Sequence, residues 1–188
     1  MVRGSVTSDT MRNALSGLAA TFAVIVTTAF APASADNAAG SLAFASSHAR
    51  VDSIWIYKGE RVLTLVHRGE IVSRYSISLG RDPVGPKKRE GDRRTPEGRY
   101  KIDWRNPDSR FYKALHISYP NDADLRLAAH IGVNPGGMVM IHGMPSAPEL
   151  RWLDTRGDWT DGCIAVSNAA MDEIWTAVAD GTPVIIKP

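Results

Sequence analysis

The sequence predicts a mainly β domain with one or two short helices. Several stretches from residue 53 onward are rich in β-branched, aromatic and aliphatic residues, and short turns containing glycine separate the first three. Three such runs at about ten-residue spacing are typical of an antiparallel meander. A continuous apolar run at 138–141 instead predicts a buried strand. The predicted strands cover 53–57, 61–66, 71–79, 100–104, 114–119, 138–141 and 182–187.

Two segments have the spacing of helices. The first is residues 122–130. The second begins at Ser167 or Asn168, either of which can cap a helix, and Gly181 closes it. The apolar positions are Leu125, Leu127 and Ala128 in the first segment and Met171, Ile174, Trp175 and Val178 in the second.

The charge pattern argues against a nucleic-acid-binding protein. The formal net charge is only +2, whereas nucleic-acid binders usually present a clustered basic face. The nearest basic run, residues 86–89, lies in a long polar segment from Gly80 to Gly98 that three prolines interrupt. Acidic residues interleave the cations there, so we interpret this basic run as part of a solvated loop. A loop this long in a compact domain is usually functional or disordered.

The N-terminus has the features of a secretory signal peptide. Arg3 and Arg12 precede an apolar run at 14–30, and a small-residue site follows it. We expect cleavage after Ala35, a short flexible tail at 36–50 and one domain at 51–188. The alternative is an uncleaved membrane anchor, because the apolar run is slightly long for a signal peptide and slightly short for a span.

An exported chain with a single cysteine cannot form an internal disulfide. The lone thiol of Cys163 is therefore buried and inert, paired with another chain, or chemically useful. His142 ends the buried apolar run, and Gly162 precedes the cysteine. A cysteine nucleophile needs a base to take its proton, and the amides of Gly162 and Cys163 are candidate donors to an oxyanion. One cysteine and one histidine alone describe many proteins.

The motifs around these residues resemble the L,D-transpeptidase catalytic domain, or YkuD, family of bacterial cell-wall enzymes. That family carries a histidine in an I-H-G-like setting followed by an S/T-x-G-C segment. The similarity is greatest to its YafK-like branch and runs from about Val51 to the C-terminus. The matching segments are Ile141-His142-Gly143, Thr160-Asp161-Gly162-Cys163-Ile164, Gly91-Asp92-Arg93-Arg94-Thr95-Pro96-Glu97-Gly98, Ile117 to Asn121, and Gly136-Gly137.

The resemblance implies a β-sandwich or barrel-like fold and a location in the periplasm or cell wall. It implies Cys163 as nucleophile and His142 as general base and then acid, acting on a peptidoglycan stem peptide. The thiolate would attack the carbonyl between an L- and a D-centre, and an amine or water would resolve the acyl-enzyme. No metal and no organic cofactor are implied. Thr160, Asp161, Gly162 and Gly143 are the expected oxyanion or substrate-binding residues.

Two positions depart from the usual family pattern. Asp161 stands where histidine is common, and Ala165 stands where arginine or asparagine is common. Because these positions help to hold the substrate in other family members, hydrolysis of the acyl-enzyme remains an alternative to transfer. Such hydrolysis includes the release of a protein attached to the wall. A non-catalytic wall-binding module also remains open, as does a zinc peptidase using His130, His142 and Asp161, although no H-E-x-x-H motif is present. Trp152 and Trp159 are candidate substrate contacts, with structural packing as the alternative.

Overall fold

The computed structural model describes residues 51–150 and 152–188, so the predicted signal peptide and the 36–50 tail lie outside the described residues. The predicted fold class is confirmed, because these residues form strands with only two α-helices and one short 3-10 helix. None of the helices described is long and apolar enough to cross a membrane. The strands are β1 (Ser53–Tyr57), β2 (Val62–His67), β3 (Glu70–Ser76), β4 (Gly98–Ser109), β5 (Tyr112–Ile117), β6 (Met140–His142), β7 (Ile164–Ala165) and β8 (Pro183–Lys187), and the helices are α1 (Asp122–His130) and α2 (Asn168–Ala177), with the 3-10 turn at Pro148–Leu150.

The predicted N-terminal meander is confirmed. Strands β1, β2 and β3 pair antiparallel in succession. Alternation along β1 buries Ile54 and Ile56 completely, while the residues between them stay partly exposed. The predicted third strand extends to residue 79, but β3 ends at Ser76. Ile77 still donates to the Arg61 carbonyl next to β2 at 3.0 Å, and residues 78–80 then leave the meander and pair elsewhere.

The sheet has eight strands in the order β3-β2-β1-β8-β4-β5-β6-β7. The segment that continues from β3 then reaches the opposite end of this order. Ser78 exchanges both backbone hydrogen bonds with Ala165 of β7, at 2.9 and 2.8 Å. Gly80 forms a further bridge to Thr160. The two ends of the sheet are therefore joined at the segment that contains the cysteine, which gives the barrel-like closure expected of the fold.

Helix α1 has the predicted bounds, but its predicted apolar face is wrong. Leu125 and Leu127 are 48% and 41% exposed, and only Ala128 is buried. Polar contacts hold the helix instead. Asn121 and Asp124 form a reciprocal capping box at its first turn. The Tyr100 hydroxyl also donates to Asp124 at 3.1 Å, and together these contacts replace the apolar anchoring that the spacing predicted.

The apolar run at 138–141 is only partly a strand. Met138 is 64% exposed, so the prediction that it lies in a buried strand is wrong. Its φ of +56° follows the turn at Gly136 and points the chain away from an extended path. The strand β6 begins at Met140 and continues to His142.

Helix α2 is confirmed and sits against the core. Ser167 is its N-cap, and the Ser167 hydroxyl accepts a hydrogen bond from the Ala170 N–H at 3.1 Å. Met171 and Ile174 are completely buried. The helix ends at Ala177, four positions before the glycine that was predicted to close it.

Candidate active site

The turn that carries the cysteine is organised by one buried hydroxyl. Thr160 Oγ1 donates to the Cys163 carbonyl oxygen at 2.8 Å and accepts from the Gly162 N–H at 3.1 Å. The Thr160 side chain is 4% exposed, so both hydrogen bonds are shielded from water. The Gly162 amide is thus already engaged within the turn. The sequence suggested the amides of Gly162 and Cys163 as oxyanion donors, and the Cys163 amide is the one that remains a candidate.

Gly162 is required by the backbone. Its φ is +130°, in a region that residues with a side chain rarely adopt. A Cβ atom there would lie 2.7 Å from the carbonyl oxygen of Arg94. Gly80 is packed as closely, because a Cβ on it would overlap the Arg93 carbonyl and lie 3.1 Å from Gly162 Cα. Two glycines thus let the 80–98 loop press its backbone against the cysteine turn.

The pairing of β6 with β7 places His142 and Cys163 on one face of the sheet. Ile141 is the register partner of Ile164, and both are completely buried in the core. His142 follows Ile141, and Cys163 precedes Ile164, so side-chain alternation directs both toward the opposite face. In register, His142 lies opposite Ala165 and is therefore diagonal to the cysteine. The sequence predicted these two residues as a pair, and this register places their side chains on the same face of the sheet.

His142 is held in one orientation and kept neutral. Its Nδ1 lies 2.7 Å from the Gly143 carbonyl oxygen. A carbonyl can only accept, so Nδ1 carries the proton and the Nε2 lone pair is available as a base. The ring is 4% exposed and packs against Phe111 and Trp159, with ring centroids 4.7 and 5.7 Å away. Desolvation lowers the pKa of His142 to about 4 despite the hydrogen bond to Gly143.

Desolvation also keeps Cys163 in its neutral thiol form. The side chain is partly exposed, and its Sγ lies 3.6 Å from the Met138 carbonyl oxygen. Desolvation raises the pKa of the thiol, and the nearby Asp161 carboxylate raises it further. A backbone hydrogen bond from Met140 and the positive charge of Lys87 act in the opposite direction. The resting pair is therefore a thiol and a neutral imidazole rather than an ion pair.

The remaining predicted site residues have distinct positions. Asp161 is exposed and pairs with Arg81, whose Nη1 lies 3.1 Å from Asp161 Oδ1. Gly143 is buried, and a Cβ on it would lie 2.5 Å from Asn168 Oδ1 and 3.2 Å from the Phe111 carbonyl oxygen. Its backbone is therefore fixed where its carbonyl can orient His142. Asn168 also accepts from the Met144 N–H at 2.8 Å, which ties the segment after His142 to the start of α2.

The 80–98 loop is built into the site, and the interpretation of its basic run as solvated is wrong for Lys87. That side chain is 6% exposed and its Nζ lies 2.9 Å from Asp92 Oδ1. Thr95 is completely buried, and its hydroxyl accepts from the Gly80 N–H at 3.2 Å. Sequence reasoning missed the role of Lys87. The signal was its position five residues before Asp92, which belongs to the G-D-x-x-T-P-x-G motif.

A buried cation from outside the loop also fixes it. Lys58, at the end of β1, is 2% exposed. Its Nζ donates to the Gly85 carbonyl at 2.7 Å, to the Thr95 carbonyl at 2.9 Å and to Glu97 at 2.7 Å. Nothing in the sequence pattern identified Lys58, because a lysine followed by glycine and glutamate is typical of an exposed turn.

The two tryptophans proposed as substrate contacts differ. Trp159 is 5% exposed and packs edge-on to His142, so it is a wall of the histidine site. Trp152 is 79% exposed. The alternative zinc site is not formed, because among residues 51–150 and 152–188 no three His, Cys, Asp or Glu side chains are grouped to hold a metal ion.

Comparison with known proteins assigns the chain to a family. Residues 52–186 match the YkuD L,D-transpeptidase catalytic domain family. The YafK protein of Escherichia coli (strain K12) is 37% identical over 133 residues, which are 66% of this chain and 46% of that protein. The chain thus spans about half the length of this relative.

Solved structures agree with this assignment. The helical cell shape determining protein Pgp2 of Campylobacter jejuni is 26% identical with a TM-score of 0.57, covering 73% of this chain and 47% of Pgp2. Bd1075 of Bdellovibrio bacteriovorus is 25% identical with a TM-score of 0.53, covering 74% of this chain and 48% of Bd1075. Since the family match extends over nearly all of the described residues, the chain belongs to the YkuD family of L,D-transpeptidase catalytic domains.

Proposed function

We propose that this chain is a cysteine acyltransferase that acts on the stem peptides of peptidoglycan. Cys163 is the nucleophile, and His142 is the general base and then the general acid. The observation that carries this proposal is the β6–β7 register, which puts the chain's only thiol and a buried neutral imidazole on one face of the sheet. Family membership supplies the substrate class, and the description of Pgp2 as a cell shape determining protein supports a wall substrate.

The reaction begins with a proton transfer. The thiol proton moves to Nε2 of His142 as Sγ bonds to the carbonyl carbon between an L- and a D-centre of the stem. The resulting tetrahedral intermediate carries its negative charge on the former carbonyl oxygen, where the Cys163 N–H is the donor we propose. The imidazolium then gives its proton to the leaving amine of the terminal D-residue. The C–N bond breaks and a thioester to Cys163 remains.

A second half-reaction releases the acyl group. An acceptor amine, such as the side chain of diaminopimelate on another stem, attacks the thioester carbonyl and loses its proton to neutral His142. The C–S bond breaks, and the proton returns to the thiolate to regenerate the resting pair. The neutral state of both groups suits this cycle, because His142 has a free lone pair at the start of each half-reaction.

Water is the competing acceptor in this proposal. The Cys163 side chain is partly exposed, so water can approach a thioester formed on it. Hydrolysis would trim the stem or, if the donor is a stem linked to a protein, release that protein from the wall. We place the reaction in the periplasm or cell wall, where peptidoglycan lies.

The test is incubation of the purified chain with tetrapeptide-stem muropeptides and, separately, with wall that carries a covalently attached protein. Products and protein adducts are followed by mass spectrometry beside Cys163→Ala, with Asp154→Asn as a control at an exposed carboxylate. A cross-linked dimer or an exchanged terminal D-residue, absent with Cys163→Ala, is the expected result. Trimmed stems or released protein without cross-links would assign hydrolysis to the same pair. If neither a product nor an acyl-enzyme is detected, the catalytic proposal is wrong and a wall-binding module is the remaining alternative.

A further inference from the structure

A cavity of about 520 Å³ that is open to solvent lies in the 80–98 loop, and neither His142 nor Cys163 lines it. Its charged lining consists of Lys88, Arg89, Arg93, Arg94, Asp82 and Asp92. Four cations and two carboxylates make the lining positive by two formal charges. The proposed chemistry uses none of these side chains.

Both carboxylates in the lining are already engaged. Asp92 accepts from Lys87 Nζ at 2.9 Å and from the N–H groups of Lys88, Arg89 and Arg94 at 2.7 to 3.1 Å. These hydrogen bonds lower the pKa of Asp92 although burial opposes them, so it stays ionised. Asp82 Oδ2 accepts from Arg94 Nε and Nη2 at 3.1 and 3.0 Å. Both carboxylates are therefore engaged with other groups of the loop and do not pair with the remaining three cations of the lining.

The other three cations of the lining are exposed and have no carboxylate partner among the described residues. Across residues 51–150 and 152–188, no side-chain hydrogen bond or ion pair is formed by the side chains of Lys88, Arg89 or Arg93. Two of them are guanidinium groups, whose planar donors match the two oxygens of a carboxylate. Like charges held together on one loop repel each other, and an anion relieves that repulsion.

The cavity adjoins the cysteine turn through the backbone. The Arg94 carbonyl oxygen is the atom that a Cβ on Gly162 would meet at 2.7 Å, one residue before the nucleophile. Lys87, a buried residue of the same loop, is close enough to lower the pKa of Cys163. The loop backbone thus packs directly against the turn that carries the proposed nucleophile.

The loop is rigid enough to act as a binding element. The three hydrogen bonds of buried Lys58 fix Gly85, Thr95 and Glu97, and Asp92 fixes the turn between them. A fixed loop backbone loses little conformational freedom when a ligand binds, whereas the exposed side chains of Arg89 and Arg93 are ordered on binding. Two buried lysines, Lys58 next to β1 and Lys87 within the loop, thus hold the loop through Glu97 and Asp92.

We propose that this cavity is a carboxylate subsite, in which Arg89 and Arg93 bind a free carboxylate of the stem peptide that Cys163 attacks. The inference rests on the proposed function for its substrate, while the anion-binding chemistry stands on the cavity alone. A phosphate group would satisfy the same donors, so the source of the anion has to be distinguished by experiment.

Binding is measured first, by calorimetry with the Cys163→Ala protein, so that no turnover consumes the ligand. The ligands are a stem tetrapeptide with free carboxylates, the same peptide with its carboxylates amidated, and inorganic phosphate. We expect amidation to weaken binding about tenfold or more, as the loss of a charge-assisted pair should. The double variant Arg89→Gln/Arg93→Gln is expected to remove that difference between the two peptides.

The control is Arg74→Gln/Arg126→Gln, which removes the same formal charge from two exposed arginines on β3 and α1. It should leave the preference for the free carboxylates intact, and thermal unfolding of each variant checks that the fold survives. Equal affinity for the free and amidated peptides would overturn the subsite, and so would an equal loss in both double variants. Phosphate binding that depends on Arg89 and Arg93, without any peptide preference, would overturn it as well.

Acyl-enzyme formation with wild-type Cys163 separates the two proposals. If both peptides acylate the wild-type protein equally well, the subsite falls and the proposed function stands. If the carboxylate preference is present in binding but no acyl-enzyme forms with either peptide, the function falls and the anion site stands. If both proposals hold, the Arg89→Gln/Arg93→Gln variant raises KM for the free peptide more than it lowers kcat.

Discussion

The Nδ1 atom of His142 donates to the carbonyl oxygen of its own neighbour, Gly143, at 2.7 Å. Among residues 51–150 and 152–188, no carboxylate accepts from this Nδ1 to fill the orienting role that an acidic residue has in many nucleophile–base–acid triads. A neutral carbonyl fixes the tautomer but stabilises an imidazolium much less than an anion would. This relationship explains why burial dominates and the pKa of His142 falls to about 4.

The buried imidazole makes the stability of the fold depend on pH. The unfolded histidine binds a proton below its ordinary pKa of 6.5, whereas the folded one resists protonation down to about 4. The contribution of His142 to the free energy of unfolding should therefore be constant above 6.5, fall as the pH drops from 6.5 to 4, and change by about 3 kcal/mol in total. Urea denaturation between pH 7.5 and about 4 measures this loss.

The matched control for that experiment is His142→Gln, which keeps a polar planar group without an ionisable ring. Its unfolding free energy should change less over the same pH interval, because the remaining shifted carboxylates with lowered pKa values titrate mainly below this interval. Equal pH dependence in the two proteins would mean that His142 is not the group responsible.

Asp161 should slow the reaction of the thiol. Its exposed carboxylate is one of the groups that raise the pKa of Cys163, after desolvation. Asp161→Asn removes that charge, so the pKa of Cys163 should fall and more thiolate should be present at a given pH. We expect alkylation by iodoacetamide at pH 8 to become about two- to threefold faster, a modest effect because an exposed charge is screened.

Asp154→Asn serves as the comparison for this measurement. Asp154 is also exposed, pairs with Arg156, and is not among the groups that act on Cys163. Its alkylation rate should equal that of the wild type. If the two variants react at the same rate, the carboxylate at 161 does not influence the thiol.

The sequence was sufficient for the features that depend on local pattern. The predicted bounds of α1 match the structure, in which Asn121 and Asp124 cap its first turn, and such capping is a property of neighbouring residues. The β meander follows from period-two alternation, as Ile54 and Ile56 show. His142 and Cys163 were identified from motifs in their flanking residues, and the β6–β7 register puts these two distant motifs on neighbouring strands.

The features that were missed depend on contacts between distant segments. Lys58 and Lys87 have the sequence surroundings of surface lysines, yet each is buried by the 80–98 loop. Conversely, Leu125 and Leu127 have helical spacing but face solvent, because polar caps hold α1 in place. Residue type alone does not tell which side of a short helix or loop the rest of the chain will cover.

The two glycines Gly162 and Gly157 allow steric and conformational effects to be separated. Both have positive φ, +130° and +64°, but a Cβ at Gly157 would meet nothing within 4 Å. Gly157→Ala should cost only about 1 kcal/mol, the penalty of a left-handed conformation. Gly162→Ala also forces a Cβ against the Arg94 carbonyl, so it should destabilise the fold by about 3 kcal/mol and lower acylation of Cys163. Chemical denaturation and the yield of acyl-enzyme measure the two effects, and equal losses would show that the contact with Arg94 is not limiting.

Lys58 connects the stability of the fold to the order of the 80–98 loop. Desolvation lowers the pKa of its ammonium group, and the ion pair with Glu97 opposes that shift and helps to keep it charged. Lys58→Met removes the charge and leaves the Gly85 and Thr95 carbonyls and Glu97 without their donor. Breaking a buried pair in this way should cost about 3 kcal/mol. Lys101→Met, at an exposed position of β4, should cost well under 1 kcal/mol by comparison.

The effect of Lys58→Met should be local as well as global. Amide hydrogen exchange should accelerate in residues 80–98 before it does in β1, because the lost hydrogen bonds tether the loop to the end of that strand. The proposed carboxylate subsite would then lose its fixed geometry, so the preference for free over amidated peptide should shrink even though Arg89 and Arg93 are intact. Retention of that preference together with rapid exchange in the loop would show that the arginines bind without preorganisation, and the argument from rigidity would fail.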